Sequence, residues 1–222
     1  MPAPGKRQRS VVTEPARQRK QADFAALAGS DELPIRPERL VATLQALLPA
    51  DAVLVADAGT PCPYLSAHYE QRLAGRHFIS NRAQGALGYA MAASVGAHYG
   101  RPAAKVVAVM GDGSFGFTVG ELETISRQGV PVTMIVISNG SYGWIKAGQK
   151  AGFDARYFSV DFSRSRHADV AAAYGVKSWR VEDPALLRET LAAALEAGEP
   201  TLVDVVCQPL QDAAAPVSEW VA

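Results

Sequence analysis

Asp112 and Asn139 stand 27 residues apart, each just after a short apolar run rich in β-branched residues, at 106–110 and 132–137. Runs of this length bounded by glycine read as buried strands. Between them residues 117–128 carry Leu122 and Ile125 at helical spacing, and Gly129 and Pro131 stop that helix. With parallel strands, the loops after both strands emerge at the same end of a sheet, where α/β sheets hold their ligands. A carboxylate (Asp112), an amide oxygen (Asn139) and a main-chain carbonyl (Ser141) then make a hard oxygen set suited to Mg²⁺ or Ca²⁺. The amides of Gly113 and Ser114 open the intervening helix and offer donors to phosphate oxygens. A carboxylate beside a phosphate cradle repels its ligand unless a divalent cation bridges them. The combination points to a diphosphate held through a metal.

Two other readings fit the same residues. Gly111, Gly113 and Gly116 match G-x-G-x-x-G after a strand and before a helix, the fingerprint of a dinucleotide-binding oxidoreductase domain. Ser138 and Asn139 stand where that fingerprint expects an acid, and Asp112 falls where a dinucleotide pyrophosphate meets no charge. The plainer alternative is a helix-capping turn with Asp112 as the cap.

The surrounding elements decide what positions these groups. Pro37 opens a helix with Leu40, Val41, Leu44, Leu47 and Leu48 on one stripe, and Pro49 stops it. Residues 52–56 read as a buried strand that turns through 57–61 into a helix over 64–72. A short extended segment at 76–82 leads to an Ala- and Gly-rich helix over 87–99. Beyond the central unit a helix begins near Tyr142, residues 153–162 form an aromatic loop, and 168–174 is a helix closed by Gly175. Residues 177–181 are a strand, Asp183 and Pro184 cap and open a helix with Leu187, Leu191 and Leu195 inward, and 201–207 is the last strand. Strands alternating with helices predict an α/β fold, a doubly wound, mostly parallel sheet with helices on both faces, as one domain over 34–208.

GDGS at 111–114 followed by NGS at 139–141 resembles the thiamine diphosphate (ThDP) signature. The wider chain, from about Pro34 to about Pro209, is similar to the C-terminal cofactor-binding domain of the acetolactate synthase/pyruvate decarboxylase/benzaldehyde lyase family. PERLVATLQALLPADAVLVADAG, GALGYAMAASVGA and VEDPALLRETLAAALEAGEPTLVDVV carry it, as separate blocks in the family's order. The resemblance implies ThDP and Mg²⁺ as cofactors. It assigns Mg²⁺ to Asp112, Asn139 and the Ser141 carbonyl, and phosphate to the loop of Gly111, Gly113 and Ser114. Gly59 and Thr60 match a further diphosphate loop, and Tyr142 and Gly143 follow the second ligand loop at the lip of the site. The carbonyl at Gly85 corresponds to the acceptor for the aminopyrimidine. Leu87, where many relatives have Met, corresponds to the wedge that bends the cofactor. Trp144 and Ile145 match positions that border the substrate, a small 2-oxo acid; each equally suits packing against a neighbouring subunit.

The same resemblance exposes a gap. In this family the glutamate that activates the cofactor belongs to an N-terminal pyrimidine-binding domain with no counterpart here, and Glu121 and Glu123 match structural positions. The expectation is therefore a two-component decarboxylase or carboligase. A separate pyrimidine-binding subunit completes the site in a hetero-oligomer with two copies of each chain. No flavin is expected, because its site in relatives belongs largely to the missing middle domain. A non-catalytic paralogue that binds a partner is the alternative of another class, and it gives no physical reason to keep the GDGS and NGS ligands.

The 222 residues, 48% hydrophobic and 20% charged, suffice for one domain with a sizeable core. Zero formal net charge gives no global field for nucleic acid or membrane. Cys62 and Cys207 fit no zinc spacing and are expected as free thiols in the cytoplasm. No apolar run approaches a membrane span, and no secretory h-region follows the basic start. Residues 1–33, with Lys6, Arg7, Arg9, Arg17, Arg19 and Lys20, are expected to form a flexible or peripherally docked basic arm. Residues 209–222 form a tail whose Trp220 suggests docking, with a lid over the site as one form of it. His68, His77, His98 and His167 are scattered and read as surface or hydrogen-bonding residues. A nucleophile elbow and a Walker loop are absent.

Overall fold

The apolar runs become strands β1 (Val53–Ala56), β2 (Phe78–Ser80), β3 (Val106–Gly111), β4 (Thr133–Ser138), β5 (Lys177–Val181) and β6 (Thr201–Val206) in a computed structural model that describes residues 13–163, 165–210 and 212. They form one sheet in the order β2-β1-β3-β4-β6-β5, with every neighbouring pair parallel. Alternate residues of the central strands feed two cores. Leu54, Val107, Val109, Ile135, Val203 and Val205 face one side, and Val53, Val55, Ala108, Met110, Met134 and Leu202 face the other. Burial on both faces explains why these strands read as continuous apolar runs rather than as alternating ones.

Helices cover both faces. Those described are α1 (Thr13–Ala28), α2 (Pro37–Leu47), α3 (Pro61–His68), α4 (Tyr89–Gly100), α5 (Asp112–Thr118), α6 (Glu121–Gln128), α7 (Gly143–Gly152), α8 (His167–Ala173) and α9 (Pro184–Glu196). The first core takes Leu40 and Leu44 of α2, Tyr64 and Leu65 of α3, and Leu187 and Leu191 of α9. The second takes Ala90 and Met91 of α4, Phe115 of α5, Leu122 and Ile125 of α6, and Ala171 of α8. Asp183 caps α9 by accepting the Ala185 amide at 2.8 Å, and Pro184 fills its first position.

Several expectations change in detail, among them the helix expected over 64–72, which runs Pro61–His68. The single helix over 117–128 is two helices, because α5 begins at Asp112 directly off β3. Gly113 and Gly116 had disguised that turn as a loop, and Val119 and Gly120 link it to α6. The Ala- and Gly-rich helix starts two residues late, at Tyr89, because Gly88 is left-handed (φ 85°). Within the expected arm, Thr13–Ala28 is helical and docked: Phe24 stacks on His68 at 4.4 Å, and Gln21 donates to Glu70. Residues 1–12 and 213–222, including Trp220, lie outside the described residues.

Among the described residues no helix is long and apolar enough to cross a membrane. Cys62 and Cys207 are buried and unpaired.

Candidate functional site

Strand order reverses twice, and each reversal opens a crevice at the carboxyl ends of the strands. The chain leaves β1 towards β2 and leaves β3 towards β4, so the loops at 57–60 and 111–114 diverge. β6 lies between β4 and β5, which opens a second crevice beside β4.

Asp112, at the start of α5, closes the first crevice. It is 8% exposed, and its carboxylate accepts three main-chain N–H groups: Gly113 at 2.9 Å, Asn139 at 3.0 Å and Gly140 at 2.7 Å. Burial pushes the Asp112 carboxyl above its ordinary range, although the Gly140 and Gly113 amides, His167 and the Asn139 amide pull it down. No Lys or Arg side chain bonds to it among the described residues. A buried carboxylate held only by dipoles is the environment a divalent cation neutralises.

Asn139 turns back over the same point. Its Nδ2 donates to Thr60 Oγ1 at 3.2 Å, and its Oδ1 accepts the Ser141 amide at 3.3 Å. Ser141 is 5% exposed, and its hydroxyl is buried with no partner. Among the described residues no three His, Cys, Asp or Glu side chains gather as a metal set. The oxygen set of Asp112, Asn139 and the Ser141 carbonyl needs none, and its hard donors match Mg²⁺.

A cavity of about 210 Å³ joins these groups to the β1 loop. Its lining includes Gly59, Thr60, Gly85, Leu87, Gly111, Asp112, Gly113, Ser114, Ser141, Tyr142, Gly143, Trp144 and Ile145. Every residue that the resemblance assigns to the cofactor or the substrate is there except Asn139, which lines a neighbouring cavity of about 920 Å³ that shares Asp112, Gly113 and Tyr142. Two glycines are fixed by close approach. A Cβ on Gly113 would meet Tyr142 Cε1 at 2.8 Å and Phe162 Cζ at 3.0 Å, and one on Gly143 would meet Thr60 Oγ1 at 2.9 Å. Trp144 Nε1 donates to the Gly59 carbonyl at 3.2 Å, pinning α7 to the β1 loop, while Ile145 is exposed.

The sequence reading passed over three groups. Asp57, fully buried at the end of β1, accepts the Tyr89 amide at 2.8 Å and so ties the β1 loop to the start of α4, just beyond Gly85 and Leu87. Burial raises its pKa, against the Tyr89, Ala90 and Gly88 amides and the Ser114 side chain. An acid directly after a predicted strand was the available signal.

The second group is a network in the other crevice. Ser138 Oγ donates to Asp204 Oδ1 at 2.5 Å and lies 2.9 Å from His167 Nδ1, the His167 amide donates to Asp204 Oδ2 at 3.1 Å, and Arg180 Nη1 donates to Asp204 Oδ2 at 2.7 Å. A hydroxyl has one proton, so His167 Nδ1–H donates to Ser138. Ser138 and Asp204 both face the same ring nitrogen, so the histidine does not stand between them as a nucleophile relay requires. His167 is thus a hydrogen-bonding residue, but a buried one supporting the turn that presents Asn139. Its partners come from distant strands, which spacing could not show. The third group is Arg82, in the lining of the smaller cavity.

Comparison with known proteins bears on this geometry. Residues 57–205 match the family model described as thiamine pyrophosphate enzyme, C-terminal TPP binding domain. The chain is 33% identical over 177 residues to a probable sulfoacetaldehyde acetyltransferase of Rhizobium meliloti, covering 77% of this chain and 29% of that protein. It is 29% identical over 185 residues to a probable acetolactate synthase large subunit of Methanococcus aeolicus, covering 81% and 31%. A solved structure of the thiamine diphosphate-dependent 4-hydroxybenzoylformate decarboxylase of Rhodococcus jostii RHA1 superposes with a TM-score of 0.73 at 26% identity, over 82% of this chain and 34% of that one. The chain spans about a third of the length of these relatives.

Proposed function

The chain belongs to the thiamine pyrophosphate enzymes through their C-terminal TPP-binding domain, and on that footing we propose that it is the ThDP- and Mg²⁺-binding subunit of a cytoplasmic two-component 2-oxo acid decarboxylase or acetolactate synthase-like carboligase. One observation carries the reading. The Asp112 carboxylate is buried, with no Lys or Arg bonded to it among the described residues, where the loops after β1, β3 and β4 meet, and its neighbours are the oxygens and amides that a metal-bridged diphosphate needs.

In this reading Asp112, Asn139 and the Ser141 carbonyl hold Mg²⁺, and Gly113 and Ser114, with Gly59 and Thr60 opposite, hold the phosphates. The Gly85 carbonyl and the Leu87 side chain orient the organic part of the cofactor. Trp144 and Ile145, at the cavity's rim, shape the approach of a small 2-oxo acid. Bound ThDP would supply a nucleophilic carbon and an electron sink for the bond that breaks next to the keto group.

The activating glutamate comes from a separate pyrimidine-binding subunit, in a hetero-oligomer with two copies of each chain. In support, no glutamate lines the smaller cavity among the described residues, and Glu121 and Glu123 lie on α6, outside that lining. Calorimetric titration of the protein with ThDP, with and without Mg²⁺, tests the cofactor assignment. One equivalent bound only with the metal supports it, whereas equal affinity in excess chelator removes the metal from the account.

A further inference from the structure

Arg82 is the one cationic side chain in the lining of the smaller cavity among the described residues. The fold makes little use of its charge. Its guanidinium carbon lies 5.2 Å from the centroid of the Trp144 ring, and no carboxylate among the described residues pairs with it. The arrangement is held from both sides. Asn81 closes the loop beneath Arg82 by accepting the Gln84 and Gly85 amides on its carbonyl and donating through Nδ2 to the Ala86 carbonyl at 2.7 Å. The Trp144 ring is fixed by its bond to Gly59. A guanidinium over a fixed aromatic face still presents its N–H donors to an oxyanion.

Among the described residues no hydrogen bond or ion pair joins Arg82 to Asp112, Asn139 or Ser141, and it approaches Gly59 across the Trp144 ring. With the diphosphate assigned to the main-chain groups at Gly59, Thr60, Gly113 and Ser114, the anion left for this position is one carried by the substrate. We infer that Arg82 recognises a second anionic group on the 2-oxo acid, at the end remote from the keto carbon. This rests on the ThDP reading of the cavity.

The carboxylate next to the keto group is a poor partner. It leaves as CO₂ while its bonding pair stays on the carbon that bore it, so its negative charge disperses as the bond breaks. An ion pair to that group is strongest before the reaction and weaker at the transition state, which slows the step. A distal carboxylate or similar oxyanion keeps its charge throughout, and pairing with it strengthens binding without raising the barrier. The substrate class is thus a dianionic 2-oxo acid.

The test uses the complex purified from its host, wild type and Arg82→Ala, with two matched pairs of probes: 2-oxoglutarate against 2-oxopentanoate, and oxaloacetate against 2-oxobutanoate. Each pair differs by a carboxylate in place of a methyl group. In the wild type the dianion of at least one pair is preferred in kcat/KM. Arg82→Ala raises the KM of that dianion by roughly tenfold to a hundredfold and leaves its methyl counterpart within about twofold, with ThDP affinity unchanged. Arg82→Lys recovers part of the loss. Equal effects on both members of a pair, or a wild-type preference for the methyl compounds, overturn the assignment while the proposed function stands. A fall in ThDP affinity in Arg82→Ala also overturns it, by giving Arg82 to the cofactor. Failure of the wild-type complex to bind ThDP overturns the proposed function and this inference together.

Discussion

Asp112 Oδ2 accepts the main-chain N–H of Asn139 at 3.0 Å, so the two side-chain ligands of the proposed cation site are tied together by the fold itself. The bond joins the ends of adjacent parallel strands and sets the distance between a carboxylate and an amide before any ligand arrives.

Replacing Asp112 with Ala removes the acceptor for three amides, those of Gly113, Asn139 and Gly140. Each of these donors left buried and unpaired costs about 1–3 kcal/mol, and about 1 kcal/mol is worth roughly 2–4 °C in Tm for a chain of this size. Metal-dependent ThDP binding is lost altogether. Thermal melts and calorimetry on the same variant separate the two effects, because the affinity loss far exceeds what the stability change explains.

Two glycines make a matched pair. A Cβ at Gly143 would lie 2.9 Å from Thr60 Oγ1 and 3.1 Å from Leu210 Cβ, whereas one at Gly116, within α5, has nothing within 4 Å. Gly143→Ala should destabilise by about 1–3 kcal/mol through overpacking and disturb the Asn139–Thr60 bond. Gly116→Ala should stabilise by about 0.5–1 kcal/mol through helix propensity. Denaturant titration reads both.

Leu87 is only partly buried in the chain alone. Leu87→Ala is predicted to change Tm little and to weaken ThDP binding about tenfold, the worth of one to two buried methylenes. A large Tm loss with unchanged ThDP affinity would make Leu87 a core residue and nothing more.

Asp204 supplies the pH dependence. Burial raises its pKa, but the bonds and charge of His167, the Ser138 hydroxyl and Arg180 outweigh that and hold it below the ordinary carboxylate range. A depressed folded pKa contributes stability that is complete above the unfolded value, about 3.9, and lost as pH falls through the folded one. At neutral pH Asp204→Asn should cost about 3 kcal/mol, since Arg180 loses its buried partner. The gap between the variants should narrow as pH falls below about 4. Denaturant melts across that range measure it.

The fold was legible where local rules and burial agree. The runs that become β3, β4 and β6 are buried on both faces, so composition alone marked them, and Asp183-Pro184 announced α9 through cap chemistry. Asp112, Asn139 and the Gly113 and Ser114 amides were legible because acid, amide and phosphate donors must sit at strand ends to meet, whereas Gly59, Thr60, Gly85, Leu87, Trp144 and Ile145 were marked only by the family resemblance. α5 was hidden because helices rarely begin with Asp-Gly-Ser-Phe-Gly, and there the geometry of the site overrides propensity. The links from Asp57 to Tyr89 and from Ser138 to His167 and Asp204 were illegible for another reason. They join residues 32, 29 and 66 positions apart through the winding of the sheet, which no local pattern encodes.

The most direct test of the central claim is native mass spectrometry of this protein purified gently from its own host. One ThDP and one Mg²⁺ per chain are expected, released together by chelation, in an assembly with two copies of a second polypeptide that supplies the pyrimidine-binding glutamate. An assembly that contains the partner and remains empty of ThDP in excess cofactor and Mg²⁺ would contradict that claim.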